Sequence, residues 1–481
     1  MFNAPTSSAR KDAPAAPSPA PAPTLARLLR CVGIDRAVAF TLAGRSWTAM
    51  SGFVTMLLLT HSLSKDQQGF YYTFTSILGL VVVFDLGVSY VTLQFASHER
   101  ARLEWTAQGT LEGESDAKER LASILGLGLR WYGAVAVIVA VTVLPIGLFF
   151  FGRHMPPGDT FAWRLPWVWI ALVTACSLIL SPVLATLEGC GLVAEVAKMQ
   201  VPQNILASLA LWLALWRHWG LFASPLAATV GLVWVASWLW RHKRGFLQDL
   251  IRHDRGAASI AWRTEVWPFQ WKIALSWIGG YFTYYFFNPV LLAYRGPAAA
   301  GQMGLCLSVM AAISAISVAW VTTKSAPFGG LIAKREFREL DRRFFPCLWQ
   351  SWSVIALGGT AFWAAAAWVH AMHLPISHRL LAPLPLAFLV ATFVTNHVGF
   401  TEAIYLRAHK KEPFLVLTLL LGGLMTLSSY FLGRAFGALG MMIGAFVITL
   451  VVGLGGSTFL FIQKRREWHQ DPAPADLGGS H

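Results

Sequence analysis

The sequence predicts an all-α polytopic membrane protein, with about 12 transmembrane helices in two pseudo-symmetric six-helix bundles around a central cavity. Three observations lead there. The chain has 481 residues, 56% of them hydrophobic and only 13% charged, against roughly 25% charged in soluble domains. Twelve apolar segments follow one another, most near the ~20 residues that cross a bilayer. Of the 38 Lys and Arg residues, 30 fall in the tails and in alternate gaps of that ladder (counting Lys272, which opens segment 7), 7 in the other gaps (counting Arg217, near the end of segment 5), and one, Arg45, within the first segment. The positive-inside rule then puts both termini in the cytoplasm.

Taken in order, the segments cover 41–62, 70–95, 131–151, 167–187, 202–221, 225–240, 271–294, 298–321, 346–368, 382–405, 413–432 and 439–462. Residues 1–35 are rich in Ala, Pro and Ser and read as a disordered tail, as do 467–481. Between them lie two bundles, 36–245 and 246–466. The gaps after segments 2, 6 and 8 are long enough for amphipathic surface helices; the opposite gaps are short. The two halves repeat a pattern. Ser46-Trp47 opens segment 1, with Gly69 at the start of segment 2, and Ser276-Trp277 opens segment 7, with Gly301 in segment 8. Six segments per half give both halves one orientation, a plan found in transporters. Gly433-xxx-Gly437 and Gly440-xxx-Gly444 predict close helix approach at the last hairpin.

Composition also excludes functions. The net charge of +14 sits in short loops, not on one basic face, which argues against nucleic-acid binding. The five cysteines show neither CxxC nor metal-ligand spacing. No HExxH, GxxxxGK[ST] or GxSxG motif is present, so no catalytic residue, metal or cofactor is expected.

The stretch from Arg45 to Glu99, with the pieces LSKDQQGFYYTF and FDLGVSYVTLQFASHE, resembles the start of polysaccharide-biosynthesis flippases of the O-antigen type, in the multidrug/oligosaccharidyl-lipid/polysaccharide exporter superfamily. FQWKIALSWIGGYFTYYFF, GPAAAGQMGL and YLRAHKKEPF extend the likeness into the second half. The resemblance implies a bacterial inner-membrane flippase that moves a polyprenyl-diphosphate-linked oligosaccharide by alternating access, for surface polysaccharide such as lipopolysaccharide. Membrane lipids, a coupling ion (H+ or Na+) and polysaccharide-export proteins are the implied partners. Three other readings stay open: a cation-coupled multidrug exporter of the same superfamily, a membrane-embedded polysaccharide polymerase or ligase, and a non-transporting scaffold for an envelope complex.

Charge inside a bilayer costs about 2.5–3.5 kcal/mol at a helix centre and needs a reason. Arg45 and Asp85 fall at similar depth if segments 1 and 2 form a tight hairpin. They would pair there, Arg45 serving as ligand for the diphosphate and Asp85 as its counter-ion, or else form a structural ion pair. Lys272 and Lys324 would widen the cationic mouth, or act as ordinary interfacial anchors. Tyr281, Tyr284, Tyr285 and Asn288 share a helix face, with Gln302 opening segment 8. Those aromatic and amide groups suit sugar recognition, or helix packing. Pro289 should kink the helix there. Gln94 and His98 close segment 2. Glu188 and Glu402 end segments 4 and 10 and would cap loops or form gate ion pairs with Lys198 and Arg407.

Overall fold

The computed structural model describes residues 36–253, 262, 267, 270–271, 274–275, 279, 281–282, 285–322, 328, 331–332, 334–409 and 413–470, apart from 86, 107, 108, 157, 159 and 160. Seven helical stretches among these are long and apolar enough to cross a membrane. Two of the seven are divided by a glycine in a non-helical conformation, Gly191 and Gly437. Three shorter or interrupted segments supply the remaining crossings.

Crossing 1 is α1 (Arg36–Ser62). Crossing 2 is broken into α2 (Lys65–Leu78), α3 (Val81–Asp85) and α4 (Val88–Arg100). Ser64 caps α2 and exchanges hydrogen bonds with Gln67, a complete capping box. Gly87, in the Asp85-Leu86-Gly87 motif, has φ 72°. That left-handed conformation is open to glycine at little cost, and α4 restarts there. Crossing 3 runs from α5 (Ser115–Ile138) through a π-turn at Val139–Val143 into α6 (Leu144–Arg153). Crossings 4, 5 and 6 are α7 (Arg164–Leu187), α8 (Val193–Trp216) and α9 (Ala223–His242). An amphipathic helix, α10 (Arg244–His253), follows.

In the second half, crossing 7 ends in α11 (Phe287–Arg295). Then come α12 (Pro297–Thr322), α13 (Phe337–Ala371), α14 (Pro383–Arg407) and α15 (Leu415–Ile448). A π-turn at Thr449–Leu454 leads into α16 (Gly455–Gln470). Gly437 (φ 66°) divides α15, and the chain folds back on itself there. A Cβ at Gly433 would meet Met441, one at Gly444 would meet Ser428, and one at Gly456 would meet Leu417. This descending pairing is that of an antiparallel hairpin. Small residues let the backbones approach where lipid supplies no hydrophobic drive, as expected for Gly433 and Gly444.

Three local expectations are corrected. The gap after crossing 2 holds a β-hairpin, β1 (Leu103–Trp105) with β2 (Leu111–Gly113), in place of a surface helix. Gly109 (φ 77°) shapes its turn, and Leu103 and Leu111 bury beside Phe246 and Leu250 of α10. Crossings 1 and 2 do not form a tight hairpin: α1 packs along α8 and α12. The last helix continues to Gln470, four residues into the segment read as tail.

Described contact between the halves is carried by α2 and α1 against α12, and by α2 against α11. A shared core runs through this junction, with Phe70, Phe74 and Trp167 on one side and Met303, Met310 and Leu389 on the other.

Candidate functional site

A cavity of about 720 Å³ lies between the halves, walled by α2, the start of α11, α12 and α14. Along α12 its lining runs from Gly304 to Val318, about 21 Å at 1.5 Å per residue. A volume of about 720 Å³ is in the range that holds a drug-sized molecule.

Its end opposite the termini is shut by backbone contact. A Cβ added at Gly69 would overlap the Pro297 carbonyl oxygen, and one at Gly304 would overlap the Tyr72 side chain. Around this contact Gln68, 1% exposed, donates from Nε2 to Gly301 O at 2.9 Å and accepts from Arg379 Nη1 at 3.2 Å. Burial pushes the Arg379 guanidinium below its usual range. Gln302, expected to touch solute, instead donates to His378 O at 3.1 Å in this seal.

Two helix breaks flank the cavity. In crossing 2 the chain turns between α2 and α3. In crossing 7 it turns at Tyr285 and Phe286, just ahead of Pro289, which cannot donate to the carbonyl one turn back. The breaks face each other, and a Cβ on Gly79 would be 2.9 Å from the Tyr285 ring. Tyr285 stacks on Tyr281, with centroids 5.4 Å apart and planes 2° from parallel. Tyr281 is buried and donates to Ser76 O at 3.0 Å. Tyr285 and Asn288 line the cavity, whereas Tyr281 backs it. Broken helices with polar groups at a cavity are a recurring device of transporter sites.

The other wall holds a cluster that sequence reasoning missed. His397 of α14 lines the cavity, and its Nε2 lies 3.2 Å from Ser317 Oγ of α12 and against Ser351 Oγ of α13. Ser317 Oγ in turn donates to Ser351 O. All three residues are buried. A lone histidine in an apolar helix carries little sequence signal, because its partners lie 80 and 46 residues away.

The expected charged residues fall elsewhere or outside the described set. Lys272, Tyr284 and Lys324 lie outside the described residues, as does the Arg45 side chain. The Arg45 backbone follows Gly44, which faces Val201 and Asn204 of α8. Asp85 is buried away from the cavity lining. Ser89 Oγ donates to its Oδ1 at 3.2 Å, and Tyr132 OH bonds Ser89. Trp131 Nε1 donates to the nearby Phe84 carbonyl at 3.3 Å. Asp85 thus packs against α5, and the hairpin that would have set it beside Arg45 is absent. Glu402 accepts from Ser457 Oγ at 2.7 Å and Thr458 Oγ1 at 2.9 Å; these hydroxyls, rather than a gate ion pair, hold its carboxylate. Glu188 lies in the π-turn at Glu188–Leu192 and forms no ion pair with Lys198 among the described residues. Gln94 and His98 line a small cleft with Glu99 and Arg120, apart from the central cavity. Among the described residues lining the central cavity, none is Lys, Arg, Asp or Glu.

Comparison with solved structures agrees with this architecture. One match is the inward-facing conformation of a multidrug resistance MATE family transporter of the MOP superfamily. It is 13% identical and has a TM-score of 0.55, covering 90% of this chain and 100% of that one. A second is the MATE multidrug transporter DinF-BH, 13% identical with a TM-score of 0.54, covering 93% and 98%. A third is a MOP superfamily transporter from Pyrococcus furiosus, described as having a binding pocket of reversed polarity. It is 12% identical with a TM-score of 0.53, covering 91% and 96%. The chain shares their fold. No protein-family model matches it, and no curated protein does.

Proposed function

We propose that the chain is an alternating-access transporter, an exporter of the multidrug type that carries an amphipathic organic solute. The observation that carries this is the central cavity, closed at one end by direct backbone packing between the halves and lined toward the other. Such a cavity, walled by two bundles that meet on a narrow strip, is what a rocking exchange of openings requires. The shared fold with MATE multidrug transporters supports the same reading. The cation distribution supports a cytoplasmic location for the face that bears the termini, which would make this state open inward, and the sequence resemblance supports the inner membrane of a bacterium.

His397 is the one imidazole in the described lining, so a proton is the coupling ion of this reading. The lipid-linked oligosaccharide flippase is the second reading. The residue patterns around LSKDQQGFYYTF and FDLGVSYVTLQFASHE favour it, as do the hydroxyl and amide groups of Thr75, Ser308 and Asn396. Its diphosphate would have to be met by Arg45, Lys272 or Lys324.

The purified protein in liposomes, loaded in turn with an amphipathic fluorescent dye and a polyprenyl-diphosphate oligosaccharide, tests both. Dye flux above that of empty liposomes, accelerated by a pH gradient, is expected. Flux of the oligosaccharide alone would move the assignment to the second reading, and flux of neither would overturn the transporter.

A further inference from the structure

The closed end of the cavity gathers hydroxyls whose protons are already given to the helix backbone. Thr75 Oγ1 donates to Tyr71 O at 3.2 Å, Ser76 Oγ to Tyr72 O at 3.0 Å and Ser308 Oγ to Gly304 O at 2.8 Å. A hydroxyl has one proton and two lone pairs, so each of these side chains has only acceptor capacity left. Asn288 completes the set. Because the Ser76 proton goes to Tyr72 O, Ser76 can only accept from Asn288, whose Nδ2 lies 3.0 Å away. The amide orientation is thereby fixed, and Asn288 Oδ1 is left buried without a donor. Asn288 is 4% exposed and sits in the cavity wall. Beside it the Tyr285 ring, 42% exposed, offers a flat face backed by Tyr281. The Tyr285 hydroxyl has a proton free to swing, and the Tyr72 hydroxyl, also in the lining, bonds Ser308.

We propose that this closed end is an acceptor subsite that selects solutes by a donor hydrogen, not by charge: a flat ring laid on Tyr285, bearing an N–H that reaches Asn288 Oδ1 and the lone pairs of Thr75 and Ser308. It rests on reading the cavity as the solute path. A buried unpaired amide oxygen costs free energy that a ligand donor restores, so recognition is strongest for a solute that brings the missing hydrogen. A site built this way rejects an isostere without that hydrogen more sharply than an apolar pocket would.

Two probes of equal charge separate donor from charge: ethidium, which carries aromatic amino groups, and tetraphenylphosphonium, which has no N–H. Binding to the detergent-purified full chain is measured by fluorescence titration and equilibrium dialysis, independently of flux in liposomes. Wild type should bind ethidium more tightly. Asn288→Leu should lose about tenfold in ethidium affinity, the scale of one lost hydrogen bond, with tetraphenylphosphonium unchanged. Asn288→Asp, which keeps the acceptor, should retain ethidium. Ser308→Ala removes a solvent-facing acceptor without disturbing packing and should weaken ethidium about threefold; it decides the matter if Asn288→Leu does not fold. Equal losses for both probes, or no loss for ethidium in Asn288→Leu and Ser308→Ala, would overturn the subsite. So would failure of wild type to bind ethidium. Dye flux without donor dependence would leave the transporter standing and remove only this inference.

Discussion

The two ends of the molecule are held together by different physics. Opposite the termini, the halves meet through backbone, Gly69 on Pro297 and Gly301 on the turn of Lys65 and Gln68, with Gly304 against the Tyr72 side chain. At the face that bears the termini, the described ion pairs lie within each half once α10, which packs on α5, is counted with the first half rather than divided at residue 246. Glu99 holds Arg102 and Arg120, Lys118 meets Asp249 at 2.9 Å, and Lys243 meets Glu195 at 2.7 Å. In the second half Arg465 and Tyr405 both bond Asp341. Backbone contact is lost within a fraction of an ångström, so it defines a state that is either made or broken. Ion pairs inside a bundle would keep that bundle one body if the junction opens as proposed. Rigid halves and a short-range seal are what a two-state carrier needs.

The largest expected effect comes from breaking the seal. Gly69→Val puts a branched side chain against the Pro297 backbone, and overpacking of this kind costs about 1–3 kcal/mol. The population should shift toward the state open opposite the termini. Spin labels on cysteines introduced at Ser64 and His378 would report it as a longer distance. An unchanged distance distribution, with solute flux intact, would show that this strip is not the gate.

Next in size is the His397 cluster, which tests whether one half also holds itself together inside the membrane. His397→Leu removes both serine contacts and should lower stability by about 1–3 kcal/mol, read as a lower melting temperature. If His397 also couples transport to protons, His397→Gln should keep solute binding yet lose the acceleration of flux by a pH gradient. Retained acceleration would move the coupling role elsewhere.

Much of this contrast was legible in the sequence, for definable reasons. Hydropathy and the cation ladder located the crossings because each is a property of a long contiguous stretch. Gly433 and Gly444 announced close packing because only small residues permit it. Gly69 and Gly301 marked the repeat, and they turned out to form the seal. What stayed hidden depends on partners far apart in the chain. Gln68 means nothing until Gly301 and Arg379 arrive, and His397 nothing until Ser317 and Ser351 do. Asp85 shows the same limit. Its charge stood out, but its neighbour is Ser89 with Tyr132 behind it, set by a helix break that hydropathy does not see.

That break gives a smaller prediction. Gly87→Ala forces a side chain into the left-handed region, at about 1–2 kcal/mol, and should loosen the Asp85–Ser89–Tyr132 contacts without touching the seal. Melting should fall while the Ser64–His378 distance holds. Lengthening of that distance would mean that the break in crossing 2 is part of the gate.

The smallest effects belong to the ionic clusters, and their ranking follows from exposure. The Asp341 side chain is 19% exposed and Arg465 32%, with Tyr405 as a third partner. Arg465→Gln should cost about 1 kcal/mol, reduced by added salt. Arg102 is 42% exposed, and its partner Glu99 keeps Arg120 at 3.0 Å when Arg102 is removed. Arg102→Ala should therefore leave melting unchanged at any ionic strength. A salt-dependent loss there as large as that for Arg465→Gln would mean that Glu99 works as a single-partner latch, and that the termini face of the first half depends on one exposed arginine.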